Sequence, residues 1–187
     1  MNGFDIDRLL EQMCIVVDTR EQLTDKAVER YTAFGVPYIR HKLDFGDYSA
    51  FFGGAKDTDR ISLVNKVSIE RKYDLTELCS CFTTDRKRFS AEFERLRQSG
   101  EKMYLLVENG TWEKAYKGDY RSQMHPNALI ASMTTWLARF NCQLVMCRPE
   151  TSGKLIAQIL YREGKEYMMR LIEPTRQEAM PSLLFAG

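Results

Sequence analysis

The sequence of 187 residues contains no long uninterrupted apolar run. A helix that spans a bilayer needs about 20 predominantly apolar residues, and the apolar stretches here are far shorter. The N-terminus, MNGFDIDRLLEQ, carries acidic side chains where a secretory signal peptide has a basic start and an apolar segment. We therefore expect a protein without a membrane partner that works in the cytoplasm.

An excess of charge of one sign is also missing, because the formal net charge is only +1. The field of the whole molecule therefore gives no sign of a nucleic-acid partner, and any site for a polyanion has to be local. Glycine and proline are scarce, at 11 and 5 residues, and no low-complexity linker separates the chain into parts. This composition predicts one compact domain with its own hydrophobic core.

Cysteines with the spacing of a zinc site are missing as well. The five cysteines are an odd number, and the spacings Cys79-x-Cys81 and Cys142-x4-Cys147 differ from the two-residue spacing of a zinc knuckle. Most of them lie within apolar runs. We interpret them as reduced thiols that pack as small hydrophobic side chains.

Segments with strand and helix patterns alternate along the chain. Residues 36–43, residues 48–52 and a segment that ends at Lys72 predict three strands, which we interpret as a meander, and helix-linked strands follow. This order predicts an α/β fold of three layers, in which a central mixed sheet of about five to six strands is flanked by helices. We expect the domain to cover residues 1–172 and a tail to cover 173–187.

The stretch VSIERK places three charged residues at the end of an otherwise apolar strand. Side chains alternate between the two faces of a strand, so Glu70 and Lys72 share one face and Arg71 points to the other. Taken alone, Glu70 and Lys72 are typical of a solvated ion pair. Arg71, on the opposite face, needs a carboxylate partner of its own.

Further carboxylates are expected near this pair. Asp47 begins a strand about one hairpin earlier, so its side chain can meet Glu70 across neighbouring strands. Asp18 ends the first apolar strand, and Glu21 follows it closely. Carboxylates that converge near one lysine form a site for a hard divalent cation, which prefers oxygen ligands and phosphate substrates.

The chain resembles the nuclease domain of the XPF family of structure-specific endonucleases, because five short blocks occur in the same order. That family carries the pattern GD…ERK…D and belongs to the PD-(D/E)XK restriction-endonuclease-like superfamily. The later segments MHPNALIASMTTWLARFNCQ and PETSGKLI look most like the short stand-alone versions of bacteriophages and prophages. The five blocks are VDTRE at 17–21, FGDY at 45–48, IERK at 69–72, the arginine-rich DRKRFSAEFERL at 85–96 and YLLVE at 104–108.

The resemblance implies a role for each matching acid and for the lysine. Asp47 and Glu70 would bind the metal ion, and Lys72 would position the attacking water. Asp18 and Glu21 would be further acids of the metal site, directly or through water. The implied reaction is the Mg2+-dependent hydrolysis of a DNA phosphodiester, which leaves a nick, and we expect Mn2+ to replace Mg2+.

Four arginines are candidates for supporting roles. The resemblance implies that Arg20 and Arg71 hold the site or a DNA phosphate. Arg86 and Arg88 begin an amphipathic helix and can follow a phosphate backbone. Glutamates lie between the basic residues of this helix, and such a mixture is equally typical of a solvated helix face.

The chain departs from the family pattern at two points. The family usually has an aspartate four residues after the lysine, where this chain has Thr76. Either Asp74 or Glu77 substitutes for this acid, or the site works without it. Relatives also carry a helix-hairpin-helix or a helicase domain, for which this sequence has no room. A preference for branched or flapped DNA is therefore an expectation from the resemblance alone.

We expect an endonuclease that acts in the recombination, repair or replication of a phage or mobile element within a bacterial cell. Its expected partners are DNA, a second copy bound through the nuclease domain, and a phage or host replication or repair protein. Two alternatives stay open. One is a nuclease-fold protein that binds DNA or a protein partner without cutting, which Thr76 favours, and the other is a hydrolase that acts on RNA or a nucleotide.

Overall fold

The computed structural model describes residues 3–54 and 60–172. The predicted tail at 173–187 and most of the predicted turn at 53–60 lie outside this part. The helices and strands, numbered separately in chain order, are α1 (Gly3–Glu11), β1 (Met13–Val17), α2 (Asp25–Thr32), β2 (Tyr38–Arg40), β3 (Tyr48–Phe52), β4 (Ile61–Ser62), β5 (Val67–Lys72), α3 (Leu75–Phe82), α4 (Arg86–Ser99), β6 (Lys102–Glu108), α5 (Trp112–Lys117), α6 (Pro126–Phe140), β7 (Cys142–Cys147) and α7 (Pro149–Ile172).

The strands form one mixed sheet in the order β2-β1-β3-β5-β6-β7, and the two-residue β4 adds a seventh strand beside β3. β3 is antiparallel to β1 and β5, whereas β5, β6 and β7 are parallel to one another. The predicted α/β fold with a mixed central sheet is confirmed.

The predicted meander is wrong, because β1 lies between β2 and β3. β2 is parallel to β1 and is connected to it through α2, which is the helical crossover that parallel neighbours require. β2 has only three residues, all exposed, instead of the eight predicted. An edge strand that is short and exposed offers little backbone for pairing with another chain.

Helices cover both faces of the sheet and enclose separate hydrophobic cores. The face covered by α1, α2 and α7, here called the back face, carries Ile15, Tyr48 and Ile69. The opposite face, here called the front face, carries Met103 and Leu105 beneath α3, α4 and α6. The predicted three layers are therefore present.

Helix α7 lies directly against the back face because one of its residues has no side chain. A Cβ atom placed on Gly164 would lie 2.1 Å from the ring of the fully buried Phe52 in β3. Any larger residue would push the helix off the strand. Within residues 3–54 and 60–172, neither α7 nor any other helix has the length and apolar character for crossing a bilayer.

Strand alternation divides the charged residues between the two faces at one end of the sheet. Asp18, which follows β1, Asp47, which precedes β3, and Glu70 and Lys72 of β5 all belong to the front face. The ladder continues into this end, because the Asp18 N–H donates to the Asp47 carbonyl at 2.8 Å. The fold thus brings the segments that carry Asp18, Asp47 and the Glu70–Lys72 pair together at one end of the sheet.

Candidate active site

The turn before β3 packs directly on β5. Gly46 has a φ of +69°, and a Cβ atom there would lie 3.0 Å from the carbonyl oxygen of Ile69 and from the Ser68 Cβ. Glycine therefore suits both this backbone conformation and this close approach. As a result Asp47 lies against β5, where its N–H donates to the Ile69 carbonyl at 2.8 Å.

The Asp47 carboxylate completes the contact between the two strands. The backbone ladder between β3 and β5 consists of the single pair Tyr48 and Ile69. Beyond it, the Arg71 N–H donates to Asp47 Oδ2 at 2.8 Å. A side-chain oxygen thus takes the place of the next backbone acceptor and fixes the carboxyl group beside Glu70.

Glu70 and Lys72 form a buried ion pair on the front face, as their alternation predicts. Lys72 Nζ lies 2.5 Å from Glu70 Oε1, and the two residues are only 9% and 8% exposed. Burial lowers the pKa of Lys72, but the neighbouring Glu70 carboxylate outweighs it, so the net pKa lies above the ordinary lysine value. Lys72 is therefore an ammonium group at neutral pH.

Asp47 carries the least favourable charge of the site. Burial raises the pKa of Asp47 well above the ordinary value, and the like charge of Glu70 raises it further. Lys72 offsets only part of this effect. Two carboxylates that repel one another in a poorly hydrated position are stabilised when a cation neutralises them.

This pair of carboxylates fits a hard divalent cation. In the described part of the chain, no three His, Cys, Asp or Glu side chains are arranged as a ready metal cluster. Mg2+ does not require one, because it keeps several water ligands and is commonly held by one or two carboxylates together with substrate phosphates. Asp47 and Glu70 supply that donor set.

Asp18 is fixed in place by its own neighbours. Its Oδ1 accepts from the Arg20 backbone N–H and from Arg20 Nε, both at 2.7 Å, and its Oδ2 accepts from the Leu43 N–H at 2.6 Å. Burial raises the pKa of Asp18, but these hydrogen bonds outweigh it, and the net pKa is lowered. Arg20 thus supports Asp18 directly, while metal binding by Asp18 stays a prediction.

Glu21 and Arg71 form an ion pair on the back face of the sheet. Arg71 Nε lies 3.4 Å from Glu21 Oε1, and Arg71 Nη1 lies 3.2 Å from Glu108 Oε2. The predicted carboxylate partner of Arg71 is therefore confirmed, and it is a pair of partners. Both belong to a group here called the back-face cluster, which consists of Glu21, Arg30, Tyr48, Arg71 and Glu108. A metal role for Glu21 stays a prediction.

The two candidates for the missing family acid have different surroundings. Asp74 caps α3, because its Oδ1 accepts from the Glu77 N–H at 2.8 Å. Glu77 Oε1 lies 3.8 Å from Lys72 Nζ, at the rim of the site. Thr76 itself accepts a hydrogen bond from the Arg121 N–H at 3.1 Å. Glu77 is therefore the better placed substitute, and its function stays a prediction.

The predicted phosphate-binding arginines lie on the surface. Arg86 and Arg88 are exposed in the first turn of α4, and Arg88 approaches Asp85 at 3.9 Å. An exposed pair of this kind contributes little to stability, so both arginines are available to a ligand. Their contact with DNA stays a prediction.

Three charged residues of the site region were not singled out from the sequence. Glu92 of α4 faces the site, where the Gly46 N–H donates to its carboxylate, and burial followed by the Glu70 charge raises its pKa. Arg30 interrupts the apolar stripe of α2 between Ala27 and Phe34, and Glu108 ends an apolar strand. A charge at a position where the pattern requires an apolar residue is the signal that identifies Arg30 and Glu108.

We predict opposite effects on stability for two matched substitutions. Asp47→Asn removes a disfavoured charge and raises the free energy of unfolding at pH 7 by roughly 0.5–2 kcal/mol, the usual range for such relief. Asp18→Asn removes charge-assisted hydrogen bonds and lowers it by roughly 1–3 kcal/mol. Urea unfolding of the metal-free protein measures both changes.

The two effects have a defined pH dependence. The raised pKa of Asp47 means that its ionisation destabilises the folded state above the unfolded value of 3.8, so the gain from Asp47→Asn disappears below that pH. The lowered pKa of Asp18 means that its contribution is complete above 3.8 and is lost as the pH falls through the folded value. Equal signs for the two variants at pH 7 would contradict the electrostatics described.

The fold of this chain is similar to that of XPF structures from Aeropyrum pernix. XPF from Aeropyrum pernix matches with a TM-score of 0.59 at 20% identity, over 91% of this chain and 68% of that chain. XPF from Aeropyrum pernix in complex with DNA matches with a TM-score of 0.56 at 20% identity, over 87% and 68%. At this identity the likeness concerns the fold.

The comparison by sequence gives the family. A search of curated proteins finds no match. The family model of the ERCC4 domain matches residues 17–159, which is more than half of the chain and includes the acids, the lysine and the back-face cluster described above. The chain therefore belongs to the ERCC4 domain family, as an XPF-type DNA nuclease domain.

Proposed function

We propose that this domain is an endonuclease that hydrolyses DNA phosphodiester bonds with a divalent metal ion at the site formed by Asp47, Glu70 and Lys72. The observation that carries the proposal is that Asp47 and Glu70 lie on the same face of the neighbouring strands β3 and β5, close enough for the charge of Glu70 to raise the pKa of Asp47, with the Lys72 ammonium 2.5 Å from Glu70. The similarity to an XPF structure in complex with DNA supports DNA as the substrate.

Asp47 and Glu70 are the residues that would hold the metal. Nucleases of the ERCC4 family generally depend on a divalent metal, and we propose Mg2+, with Mn2+ as a replacement. Such an ion supplies Lewis-acid stabilisation of phosphate charge and lowers the pKa of a bound water. Asp18, through Arg20 and Leu43, holds the adjacent loop that borders these two acids.

Lys72 acts as a donor in this proposal. In the metal-free protein the pKa of Lys72 is raised, so its side chain is an ammonium group at neutral pH. It donates hydrogen bonds that position the attacking water or a phosphate oxygen. The water oxygen bonds to phosphorus as one ester P–O bond breaks. The attacking water releases a proton to the solvent and the leaving oxygen takes one up, so one strand is cut and a phosphate end and a hydroxyl end remain.

Branched or flapped DNA in phage or mobile-element recombination, repair or replication is the substrate that the resemblance to XPF-type nucleases supports. For this role we propose that the protein works in the bacterial cytoplasm, with a phage or host replication or repair protein as a further partner. A homodimer would add DNA contacts to a domain whose net charge is only +1. Sedimentation over a range of protein concentrations distinguishes a dimer from a monomer.

One observation favours binding without cleavage as a second candidate function. Thr76 occupies the position of the usual family acid, and its hydroxyl accepts a hydrogen bond from Arg121, which joins it to the segment before α6. If that acid is indispensable, the domain binds DNA or a protein partner without cutting. The cleavage experiment separates the two functions.

We predict metal-dependent cutting of at least one member of a panel of flap, fork, four-way, single-stranded and duplex DNA, with matched RNA included. Asp47→Asn, Glu70→Gln and Lys72→Met should each lower the single-turnover rate by roughly 100-fold or more, because each removes a group that acts on the reacting atoms. DNA affinity should change far less. Cleavage and binding are read from the same labelled substrates.

Glu163→Gln is the matched control for this series, because Glu163 bonds Lys102 and Tyr104 at the other end of the sheet. It should cut like the unaltered protein. Absence of cutting with Mg2+ or Mn2+ at high enzyme concentration would overturn the proposal. Tight DNA binding that does not depend on the metal or on the site residues would establish binding without cleavage. Preferential cutting of RNA would establish the hydrolase that acts on RNA.

A further inference from the structure

The end of β5 that carries Glu70 and Lys72 is held unequally on its two sides. Towards β6 it is paired through its whole length, from Val67 with Lys102 to Lys72 with Val107. Towards β3 it is held by one ladder pair, by the bond from the Asp47 N–H to the Ile69 carbonyl and by the bond from the Arg71 N–H to Asp47 Oδ2. The place of Arg71 therefore sets the direction of the Asp47 carboxylate.

On the back face, residues of the back-face cluster belong to both β3 and β5. Tyr48 directly follows Asp47, and its hydroxyl donates to Glu21 Oε1 at 3.0 Å. Arg71 lies between Glu70 and Lys72 in β5, and its guanidinium lies 3.4 Å from the same oxygen of Glu21. One carboxylate oxygen thus connects β3 and β5 on the face opposite to the site.

Arg30 and Glu108 close this connection into a ring. Arg30 Nε donates to Glu108 Oε1 at 3.1 Å, and its Nη1 lies 3.2 Å from Glu21 Oε1 and donates to the Tyr48 hydroxyl at 3.1 Å. Glu108 in turn holds Arg71 at 3.2 Å. The side chains of Arg30 and Glu108 are 5% and 1% exposed.

The cluster is balanced in charge, with two carboxylates and two guanidinium groups. Burying a balanced group costs far less than burying an unpaired charge. Planar guanidinium groups also fix the direction of each contact, which a flexible ammonium group would not. The cluster therefore has the chemistry of a rigid support rather than of a ligand site.

We propose that Glu108 and Arg30 are positioning residues, which hold Arg71 and Tyr48 so that Asp47 and Glu70 keep their mutual geometry. The proposal rests on the proposed function for its effect on cleavage. Neither residue belongs to the front face, so neither touches the reacting atoms. Their loss should lower the rate of the bound complex and leave DNA affinity nearly unchanged, because a small displacement of catalytic groups is costly.

The test uses Glu108→Gln, Arg30→Gln and the double variant, which removes one charge of each sign. In the folded double variant we expect a single-turnover rate roughly 10- to 100-fold lower, the usual effect of losing an outer support of a metal site. DNA affinity should stay within about twofold. Glu163→Gln, which breaks an ion pair between α7 and Lys102 at the far end of the same sheet, serves as the control and should keep its rate.

Amide hydrogen exchange supplies a readout that does not depend on cleavage. The Arg71 amide should exchange at least about tenfold faster in the double variant, because its bond to Asp47 opens more often. The Lys102 amide, which donates to the Lys66 carbonyl at the far end of β5, should not change. Faster exchange at both positions would indicate general loosening and would overturn the proposal.

The outcomes also separate this inference from the proposed function. If the unaltered protein cuts no substrate, the proposed function fails, and the exchange of the Arg71 amide still decides whether Glu108 and Arg30 hold it. Unchanged Arg71 exchange, or a folded double variant that cuts within about twofold of the unaltered rate, would overturn the inference. The inference would also be overturned if the lower cleavage rate of the double variant were fully explained by the fraction of that variant that is unfolded.

Discussion

The hydrogen bond from the Arg71 N–H to Asp47 Oδ2 is the contact on which the site depends. It continues the β3–β5 ladder past its last backbone pair and directs one acid toward the other. Gly46 makes this contact sterically accessible, since a side chain there would collide with β5. The front face thereby gains two carboxylates and an ammonium group at one edge of the sheet, which is the chemistry that phosphodiester hydrolysis with a metal ion needs.

The buried charges are poorly balanced on the front face of the sheet and well balanced on its back face. On the front face, Asp47 and Glu70 repel each other and Asp47 is costly to ionise, so the metal-free site stores unfavourable electrostatic energy. On the back face, two glutamates and two arginines neutralise one another. Natural active sites commonly sacrifice stability for reactivity in this way, and here a charge-balanced group lies on the opposite face of the same strands. The bonds of Asp18 with Arg20 and Leu43 serve the same purpose at the end of β1.

Much of this arrangement could be predicted from the sequence, because alternation is a local property. The shared face of Glu70 and Lys72 and the separate partner of Arg71 follow from a period of two residues, and the structure confirms both. Long-range placement could not be predicted in the same way. β2 lies outside β1 because a helical crossover returns the chain parallel to β1, whereas the pattern of its residues fits a hairpin equally well. The pairing of Glu108 with Arg71 depends on the register of β5 and β6, which no local pattern contains.

In the proposed function, Asp47 and Glu70 together hold the catalytic metal. The most direct measurement is anomalous diffraction at the manganese edge from crystals grown with Mn2+, for the unaltered protein and for Asp47→Asn. We predict one strong peak shared by the carboxylates of Asp47 and Glu70, which is lost in the variant. A peak bound elsewhere, for example at Asp18 or Glu21 without Asp47, or no bound manganese in a protein that cuts DNA under the same conditions, would contradict the account.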